Sequence, residues 1–313
     1  MGVVEGWDVA PSISLQRKRR TLPGLSATCT GEDDADCYIG GVFVGYGSFG
    51  WVRRAMDRAT GRIIAVKSLD LRIAPFGAGG GDADDGQGAW PSAPRLEDCL
   101  SRWMELSHPN LVQILGHAST GCGVDLHLEL ATVGSLEAFL QDFGPLAHPV
   151  FARLIRGVLL GLQYLHTRER PVAHGNLRGA TVCVDGCPLA AKLTTDLGLS
   201  SGLRYAPPPL PRDSLPWAAP EVVRGQDWEP LEADVWSAGC LMIEMSTARG
   251  PWGAAALADV EDALRGGDAR PALPEAMPEL ARAAARSCLA VAPHDRANVC
   301  DVLAHLCVAE GSD

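Results

Sequence analysis

The sequence contains a glycine-rich segment of the kind that can fold over phosphate groups. Gly45, Gly47 and Gly50 form a G-x-G-x-x-G string that is followed by Val52 and lies between two strand-like segments, so the glycines fall in the turn of a hairpin. Because no Cβ intervenes, the backbone N–H groups of such a turn can approach phosphates closely. A glycine string alone is weak evidence, since many turns contain glycine. A dinucleotide-binding fingerprint does not fit, because it requires a helix directly after the glycines.

Two charged residues extend this phosphate-binding pattern. Lys67 follows Ala65 and Val66 one strand beyond the hairpin, where an inward-facing ammonium could reach two phosphates. The alternative for a lone strand lysine is a solvated position on the exposed face, and the preceding hairpin favours the phosphate role. Asp196 precedes Leu197 and Gly198, and its carboxylate is the type of oxygen ligand that Mg²⁺ prefers. The alternative for Asp196 is a structural role, since Asp-x-Gly is common in turns.

The elements that must position these residues change in type along the chain. Strand patterns cover residues 38–44, 51–57, 62–69, 111–117 and 124–130, and helical periodicity appears at residues 96–106 and then dominates beyond Gly134. The later helices are predicted at residues 136–143, 150–165, 237–245, 257–265, 277–288 and 298–308. We therefore predict an α+β protein with a small β-rich lobe at residues 37–130 and a larger helical lobe at 131–308. Residues 1–36 and 309–313 are predicted to be tails, and residues 74–94 a flexible insert.

Composition limits the classes of function. The 313 residues are 47% hydrophobic and carry a formal net charge of −11, which argues against general nucleic-acid binding. No apolar run reaches the roughly 18 residues of a membrane span. The ten cysteines are scattered without zinc-type spacing, which favours a reduced, cytoplasmic compartment. The basic run at residues 17–20 is also compatible with a nuclear address, although a solvated charged tail is the preferred interpretation.

Taken together and in order, these segments resemble the protein kinases, and the resemblance covers residues 38–307. The catalytic loop corresponds to residues 174–181, the D-F-G motif to 196–198 with Leu for Phe, the A-P-E motif to 219–221 and the D-x-W-S-x-G helix to 234–239. Residues 108–112 resemble the link after helix C, and residues 128–131 the hinge with Leu128 as gatekeeper. Arg296 falls where the family pairs an Arg with the A-P-E glutamate, here Glu221. The loop and the segment before Asp196 are most similar to the serine/threonine mitogen-activated kinase kinase kinases.

The resemblance implies a two-lobed kinase fold that binds ATP and Mg²⁺. It also implies protein partners, among them an active kinase or another component of a kinase cascade. The predicted metal ligands are Asp196 and, weakly, Thr181. The residues expected to contact the nucleotide are Gly45, Gly47, Gly50, Val52, Ala65, Lys67, Glu129 and Ala131.

The sequence departs from the family where the chemistry of phosphoryl transfer resides. Asn176 stands at the position of the catalytic Asp, and a neutral amide cannot accept the proton of a substrate hydroxyl. Thr181 replaces the Asn that ligates a second Mg²⁺. Gly175 replaces the Arg that contacts a phosphorylated activation loop in many kinases, so phosphorylation of Ser200, Ser201 or Ser214 is not expected to act through that contact. Cys99 stands where helix C should supply the Glu partner of Lys67.

Three functions remain open on this reading. The preferred one is a nucleotide-binding pseudokinase that regulates or scaffolds a kinase pathway, with Asn176, Lys67 and Asp196 at the catalytic positions. The second is a weakly active serine/threonine kinase that transfers the ATP γ-phosphate to protein Ser or Thr, because much of phosphoryl transfer is positioning and charge stabilisation. The third is a scaffold that binds no nucleotide. The Pro-rich residues 207–211 are expected to be a stiff surface loop, with SH3-type docking as the alternative.

Overall fold

The two-part organisation expected from the hydrophobic pattern is present in a computed structural model of the chain. The structure describes residues 38–47, 50–70, 100–120, 123–186, 188–194, 211–225, 229–267 and 269–307. Asp196, Cys99, the predicted tails and the predicted insert at residues 74–94 therefore lie outside the described residues.

The N-terminal part is a five-stranded antiparallel sheet in the order β1-β2-β3-β5-β4. Each of the five predicted strands is present, with shifts of one to three residues at most ends. Val66 of β3 and Leu126 of β5 are fully buried, whereas Val42 and Val44 of β1 are exposed. The strands are β1 (Tyr38–Gly47), β2 (Gly50–Asp57), β3 (Ile63–Asp70), β4 (Ile114–Thr120) and β5 (Gly123–Glu129). Residues 100–104 are helical, within the segment predicted as a helix.

The C-terminal part is mainly helical and is organised around one buried helix. The helices are α1 (Leu136–Phe143), α2 (His148–His166), α3 (Pro220–Arg224), α4 (Pro230–Thr247), α5 (Leu257–Gly266), α6 (Glu279–Cys288) and α7 (Val299–Cys307). Helix α4 is buried from Ala233 to Met245 on nearly every side, and Trp236 is fully buried. Two acidic residues of this helix, Asp234 and Glu244, reach the catalytic-loop region described below.

A small sheet in the C-terminal part was not anticipated from the sequence, which predicted only helices beyond Gly134. Its strands β6 (Gly134–Ser135), β7 (Val182–Gly186) and β8 (Leu189–Leu193) pair in that order. Strands β7 and β8 are only five residues each, too short for a clear period-2 pattern. Val182, Val184, Ala191 and Leu193 are fully buried on one face of this hairpin. Its other face carries Lys192, whose Nζ donates to the carboxylate of Glu129 in β5 at 2.8 Å.

The remaining structural framework agrees with the sequence. Glu221 and Arg296 form the predicted ion pair, with Nη1–Oε1 and Nη2–Oε2 distances of 2.6 and 2.7 Å. Arg296 also donates to the carbonyls of Ala290, Val291 and Glu232, so each end of the pair is satisfied in the interior. No helix among the described residues is long and apolar enough to cross a membrane.

Candidate active site

The predicted nucleotide-binding residues of the N-terminal sheet share one face. Val52 of β2 lies opposite Lys67 of β3, which in turn lies opposite Leu126 of β5. Ala65 and the gatekeeper Leu128 form the next cross-strand pair on the same face, because side chains two residues apart in a strand point the same way. Lys67, Ala65 and Leu128 are buried there, with Lys67 only 7% exposed. Lys67 therefore lies on the inner face of the sheet, as the alternation along the strand predicts.

The glycines of the hairpin have different surroundings. Gly47 and Gly50 pair across the turn of β1 and β2, and Gly45 pairs with Val52. A Cβ on Gly50 would lie 1.9 Å from the carbonyl oxygen of Ser68, so this glycine is required by the close approach of β2 to β3. Among the described residues, a Cβ on Gly45 would meet nothing within 4 Å. Gly50 thus has a packing role, whereas Gly45 borders space that no described residue fills.

The segment after β5 supplies backbone groups beside this face. The carboxylate of Glu129 accepts hydrogen bonds from the backbone N–H of Gln113 at 2.9 Å and from Nζ of Lys192 at 2.8 Å. The Glu129 side chain is thus tied to β8 and fixes the connection between the two lobes. Within the described part of the chain, the backbone N–H of Ala131 makes no hydrogen bond. That N–H is therefore available to a ligand, as the expected role of Ala131 requires.

Cys183 is a cleft residue that the sequence analysis did not identify. It lies on β7 opposite Lys192, on the face away from the fully buried Val182 and Val184. Burial raises the pKa of the Cys183 thiol to about 11, while the positive charge of Lys67 acts in the opposite direction. The Lys67 ammonium is thus close enough to act on the thiol. Cys183 therefore contributes a neutral thiol on the face of β7 opposite Val182 and Val184, and only the alternation along the unrecognised strand β7 could have revealed it.

The backbone of the catalytic loop is held by a buried carboxylate. Asp234 is 1% exposed and accepts hydrogen bonds from the backbone N–H of His174 at 2.7 Å and of Gly175 at 2.8 Å. Nε2 of His166 lies 2.9 Å from the same carboxylate. Gly175 adopts a φ of +76°, which a residue with a Cβ adopts at a cost of about 1–2 kcal/mol. Gly175 thus lacks the charged side chain of the Arg that many kinases have at this position, and a glycine also suits the positive φ of the backbone.

Asn176 occupies the predicted position in this ordered loop. Its backbone N–H donates to Nδ1 of His174 at 3.3 Å, and Nε2 of the fully buried His174 donates to the carbonyl of Thr194 at 2.8 Å. These contacts fix the tautomer of His174, since Nδ1 accepts and Nε2 carries the proton. The side chain of Asn176 is half-buried. The framework of a catalytic loop is therefore formed around a residue that cannot act as a general base.

Thr181 has a structural role that differs from the one predicted. Its hydroxyl lies 2.6 Å from the carbonyl of Asn176 and 3.0 Å from the carbonyl of Arg178, and it accepts the backbone N–H of Arg178 at 3.1 Å. A hydroxyl has one proton and two lone pairs, so these partners use its donor and half of its acceptor capacity. This arrangement leaves one lone pair of the buried hydroxyl for a metal ion.

The catalytic loop also contacts the segment that precedes α3. Nη2 of Arg178 lies 2.6 Å from a carboxylate oxygen of Asp213. The carboxylate of Glu244 accepts the backbone N–H of Gly179 at 3.0 Å and Nε1 of Trp217 at 2.8 Å. Burial raises the pKa of Glu244 to about 7, against the opposing effect of these two hydrogen bonds. One titratable group thus connects the loop, helix α4 and Trp217.

Ser214 is one of three serines whose phosphorylation is not expected to act through position 175, and its side chain is buried. It lies in a 3₁₀ turn (Arg212–Trp217) and is 2% exposed, and its backbone N–H donates to the carbonyl of Pro211. A kinase cannot reach this hydroxyl unless the turn opens. Ser200 and Ser201 lie outside the described residues.

The metal chemistry can be tested only in part. Asp196 lies outside the described residues, so its predicted role as a Mg²⁺ ligand stays a prediction. Among the residues that the structure describes, no group of three or more His, Cys, Asp and Glu side chains is arranged to hold a metal ion. The second predicted ligand, Thr181, is engaged in the hydrogen bonds given above and keeps one lone pair, so its role as a weak ligand also stays a prediction.

Comparison with known proteins agrees with this geometry. The family model for the protein kinase domain matches residues 38–308. The chain is 32% identical to the mitogen-activated protein kinase kinase kinase MST11 of Pyricularia oryzae over 80% of its length, and 32% identical to mitogen-activated protein kinase kinase kinase 3 of Arabidopsis thaliana over 74%. Serine/threonine-protein kinase STE11 of Saccharomyces cerevisiae is 29% identical over 69% of the chain. These matches span only 28%, 34% and 34% of the three relatives.

The fold comparison agrees with this match. The crystal structure of Rad53 1-466 in complex with AMP-PNP superimposes with a TM-score of 0.68 and 23% sequence identity, covering 87% of this chain and 65% of that one. At this identity the likeness establishes the fold. The sheet with its inward Lys67, the loop held by Asp234 and the Glu221–Arg296 pair are all parts of that fold. Together with the family match over residues 38–308, they show that the chain belongs to the protein kinase domain family.

Proposed function

We propose that this domain is a nucleotide-binding pseudokinase that regulates or scaffolds a kinase signalling pathway. The observation that carries the proposal is Asn176, which stands in a well-formed catalytic loop at the position of the general base. Loss of a positioned base reduces the rate of proton transfer by about 10²–10⁴. Because the backbone around Asn176 is held by Asp234 and His174, the defect resides in the side chain and not in the fold of the loop.

The nucleotide-binding half of the site supports binding of ATP or ADP. Lys67 lies buried on the inner face of β3, between Val52 and Leu126, and Gly45 borders space that no described residue fills. The backbone N–H of Ala131 has no other partner within the described residues and can donate to a purine edge. AMP-PNP in the Rad53 structure shows that a protein with this fold holds such a ligand. A single Mg²⁺ on Asp196 would supply charge neutralisation for the phosphates.

A weakly active serine/threonine kinase is the second candidate. It is favoured by the framework, since the Glu221–Arg296 pair and the Asp234 hydrogen bonds are intact. Phosphoryl transfer depends strongly on positioning and charge stabilisation, and both can persist without a base. The relatives MST11 and STE11, which are named as kinases, make protein Ser or Thr the substrate to test.

Nucleotide binding is tested by thermal unfolding with ATP, with and without Mg²⁺. A ligand at 100 times its Kd stabilises the folded state by about 2.7 kcal/mol, which is a measurable increase in Tm. Lys67→Met is the matched variant, because it keeps the volume of the buried side chain and removes its charge. We expect stabilisation of the wild type and a smaller effect in Lys67→Met. An unchanged wild-type Tm at millimolar ATP would support the third reading, a scaffold without nucleotide.

Catalysis is tested by single-turnover phosphoryl transfer from γ-labelled ATP. The pseudokinase proposal predicts no transfer above the level of an Asp196→Ala variant. Transfer by the wild type that Asp196→Ala abolishes would instead establish the weakly active kinase. Asn176→Asp combined with Thr181→Asn tests whether the loop alone is defective, and the two changes should be non-additive because the site acts as a unit.

The identity of the relatives also suggests the biological setting. We propose that the domain acts within a mitogen-activated kinase cascade in the cytoplasm and contacts another kinase of that cascade. The similarity to MST11 and to mitogen-activated protein kinase kinase kinase 3 supports this proposal. The proposal is tested by asking whether the tagged domain co-purifies with kinases from its own cell. The Lys67→Met variant then shows whether nucleotide binding influences the association.

A further inference from the structure

Thr181 stands at the position expected to ligate a second divalent cation, and its hydroxyl takes part in several hydrogen bonds. The hydroxyl of Thr181 lies 2.6 Å from the carbonyl oxygen of Asn176, which stands five residues earlier in the loop. The backbone N–H of Arg178 donates to the same hydroxyl at 3.1 Å. The side chain is buried, at 7% exposure, so these contacts are sheltered from water.

The chemistry of the side chain decides what this position can still do. An Asn has a separate N–H₂ donor and carbonyl acceptor, so it can donate to the carbonyl of residue 176 and still present an oxygen to a cation. A Thr has one oxygen for both purposes. Its proton points toward the Asn176 or Arg178 carbonyl, and one lone pair faces the Arg178 N–H. Only one lone pair of this buried hydroxyl remains, so a second cation would have to enter the turn to reach a single oxygen that is already shared.

The neighbouring backbone oxygens are also engaged. The carbonyl of Thr181 accepts both the N–H of Thr194 at 2.9 Å and the Oγ1 hydroxyl of Thr194 at 2.8 Å. The carbonyl of Thr194 accepts from His174. Arg178, a permanent cation, belongs to the same turn and is buried beside Thr181. Within the described residues, these backbone oxygens thus offer few free lone pairs to a hard cation, and Arg178 is itself paired with Asp213 at 2.6 Å.

We propose that the nucleotide of this domain is bound with at most one divalent cation, because the Thr181 hydrogen-bond network replaces the second cation site. The inference rests on the nucleotide binding proposed above. It assigns the loss of the second cation to one residue, and it predicts that Thr181→Asn restores that cation without any other change.

The experiment counts Mn²⁺ ions per bound nucleotide by electron paramagnetic resonance. Nucleotide binding is first measured by fluorescence titration with a non-hydrolysable ATP analogue, and the analogue is then held below the protein concentration so that all of it is bound. Wild type, Thr181→Asn and Thr181→Ser are compared. Ser keeps the single hydroxyl oxygen and serves as the matched control. We expect no more than one Mn²⁺ per analogue in the wild type and in Thr181→Ser, and one additional ion in Thr181→Asn.

Two results would overturn the inference. Two Mn²⁺ ions per analogue in the wild type would show that the second site exists in spite of the Thr181 network. An unchanged count in Thr181→Asn, with the variant folded and the analogue bound, would show that residue 181 does not decide the number of ions. A failure of the fluorescence titration itself is distinguishable, since it removes the proposed nucleotide binding and the inference that rests on it.

Discussion

Oδ2 of Asp234, on the central helix α4, accepts a hydrogen bond from the backbone N–H of His174 at 2.7 Å. Oδ1 of the same carboxylate accepts from Gly175 at 2.8 Å, and His166 lies 2.9 Å from Oδ2. Both carboxylate oxygens are thus acceptors, and a buried helix fixes the backbone of the catalytic loop. The loop keeps its conformation through Asp234 even though its side chains at positions 175 and 176 have changed.

The first prediction concerns this carboxylate. Asp234→Asn must turn an N–H₂ group toward a backbone N–H donor, because both oxygens of Asp234 accept hydrogen bonds. Loss of one buried hydrogen bond to a charged acceptor costs about 1.5–3 kcal/mol. We expect a fall of this size in the free energy of unfolding, measured with urea, and faster amide exchange at Gly175. Asp295→Asn is the control, since its side chain and that of its neighbour His294 are 67% and 83% exposed, and it should change stability by less than about 1 kcal/mol.

The second prediction concerns Glu221 and Arg296, whose side chains are 5% and 0% exposed. Removing one partner leaves a buried charge, so Glu221→Ala and Arg296→Ala should each lower the free energy of unfolding by about 3–5 kcal/mol. The double variant should be less destabilised than the sum of the two, because the second change removes the isolated charge. The exposed pair Glu261–Arg265 provides the comparison cycle, with an expected coupling near 0.5 kcal/mol. Additive effects at Glu221 and Arg296 would contradict the prediction.

Particular residues show how far the sequence could predict this structure. The glycine hairpin, the inward Lys67 and the Glu221–Arg296 pair follow from motif order and from strand alternation, which are local signals. The role of the Thr181 hydroxyl could not be predicted, because its partners depend on how the loop turns back between Asn176 and Arg178. The exposure of Cys183 to the cleft depends on a five-residue strand whose pairing with β8 sets its orientation. Burial of Ser214 likewise arises from tertiary packing.

The third prediction concerns Cys183 on strand β7. Cys183→Phe places a ring on the face of β7 that is turned toward Lys67, so we expect it to abolish the increase in Tm caused by ATP. Cys183→Ala leaves the cleft open and should keep that increase. Overpacking costs about 1–3 kcal/mol, so the Tm of each variant without nucleotide is measured first. A Cys183→Phe protein that is folded and still shows the wild-type increase would exclude Cys183 from the nucleotide site.

The last prediction concerns pH and Glu244. The folded-state pKa of about 7 lies above the ordinary value of 4.5, so between these two pH values the folded protein holds a proton that the unfolded chain releases. The free energy of unfolding should therefore fall as pH rises through this window, by about 3 kcal/mol in total, and level off above pH 7. Glu244→Gln keeps an oxygen that can accept from Gly179 and Trp217 but cannot titrate. The unfolding free energies of wild type and Glu244→Gln are measured from pH 5 to 8.5, and their difference should show this slope. Taking the difference cancels the contributions of the histidines, which are common to both proteins. Parallel pH profiles for the two proteins would show that the Glu244 carboxyl is not held in its neutral form, and the connection of Gly179 and Trp217 through it would then be independent of pH.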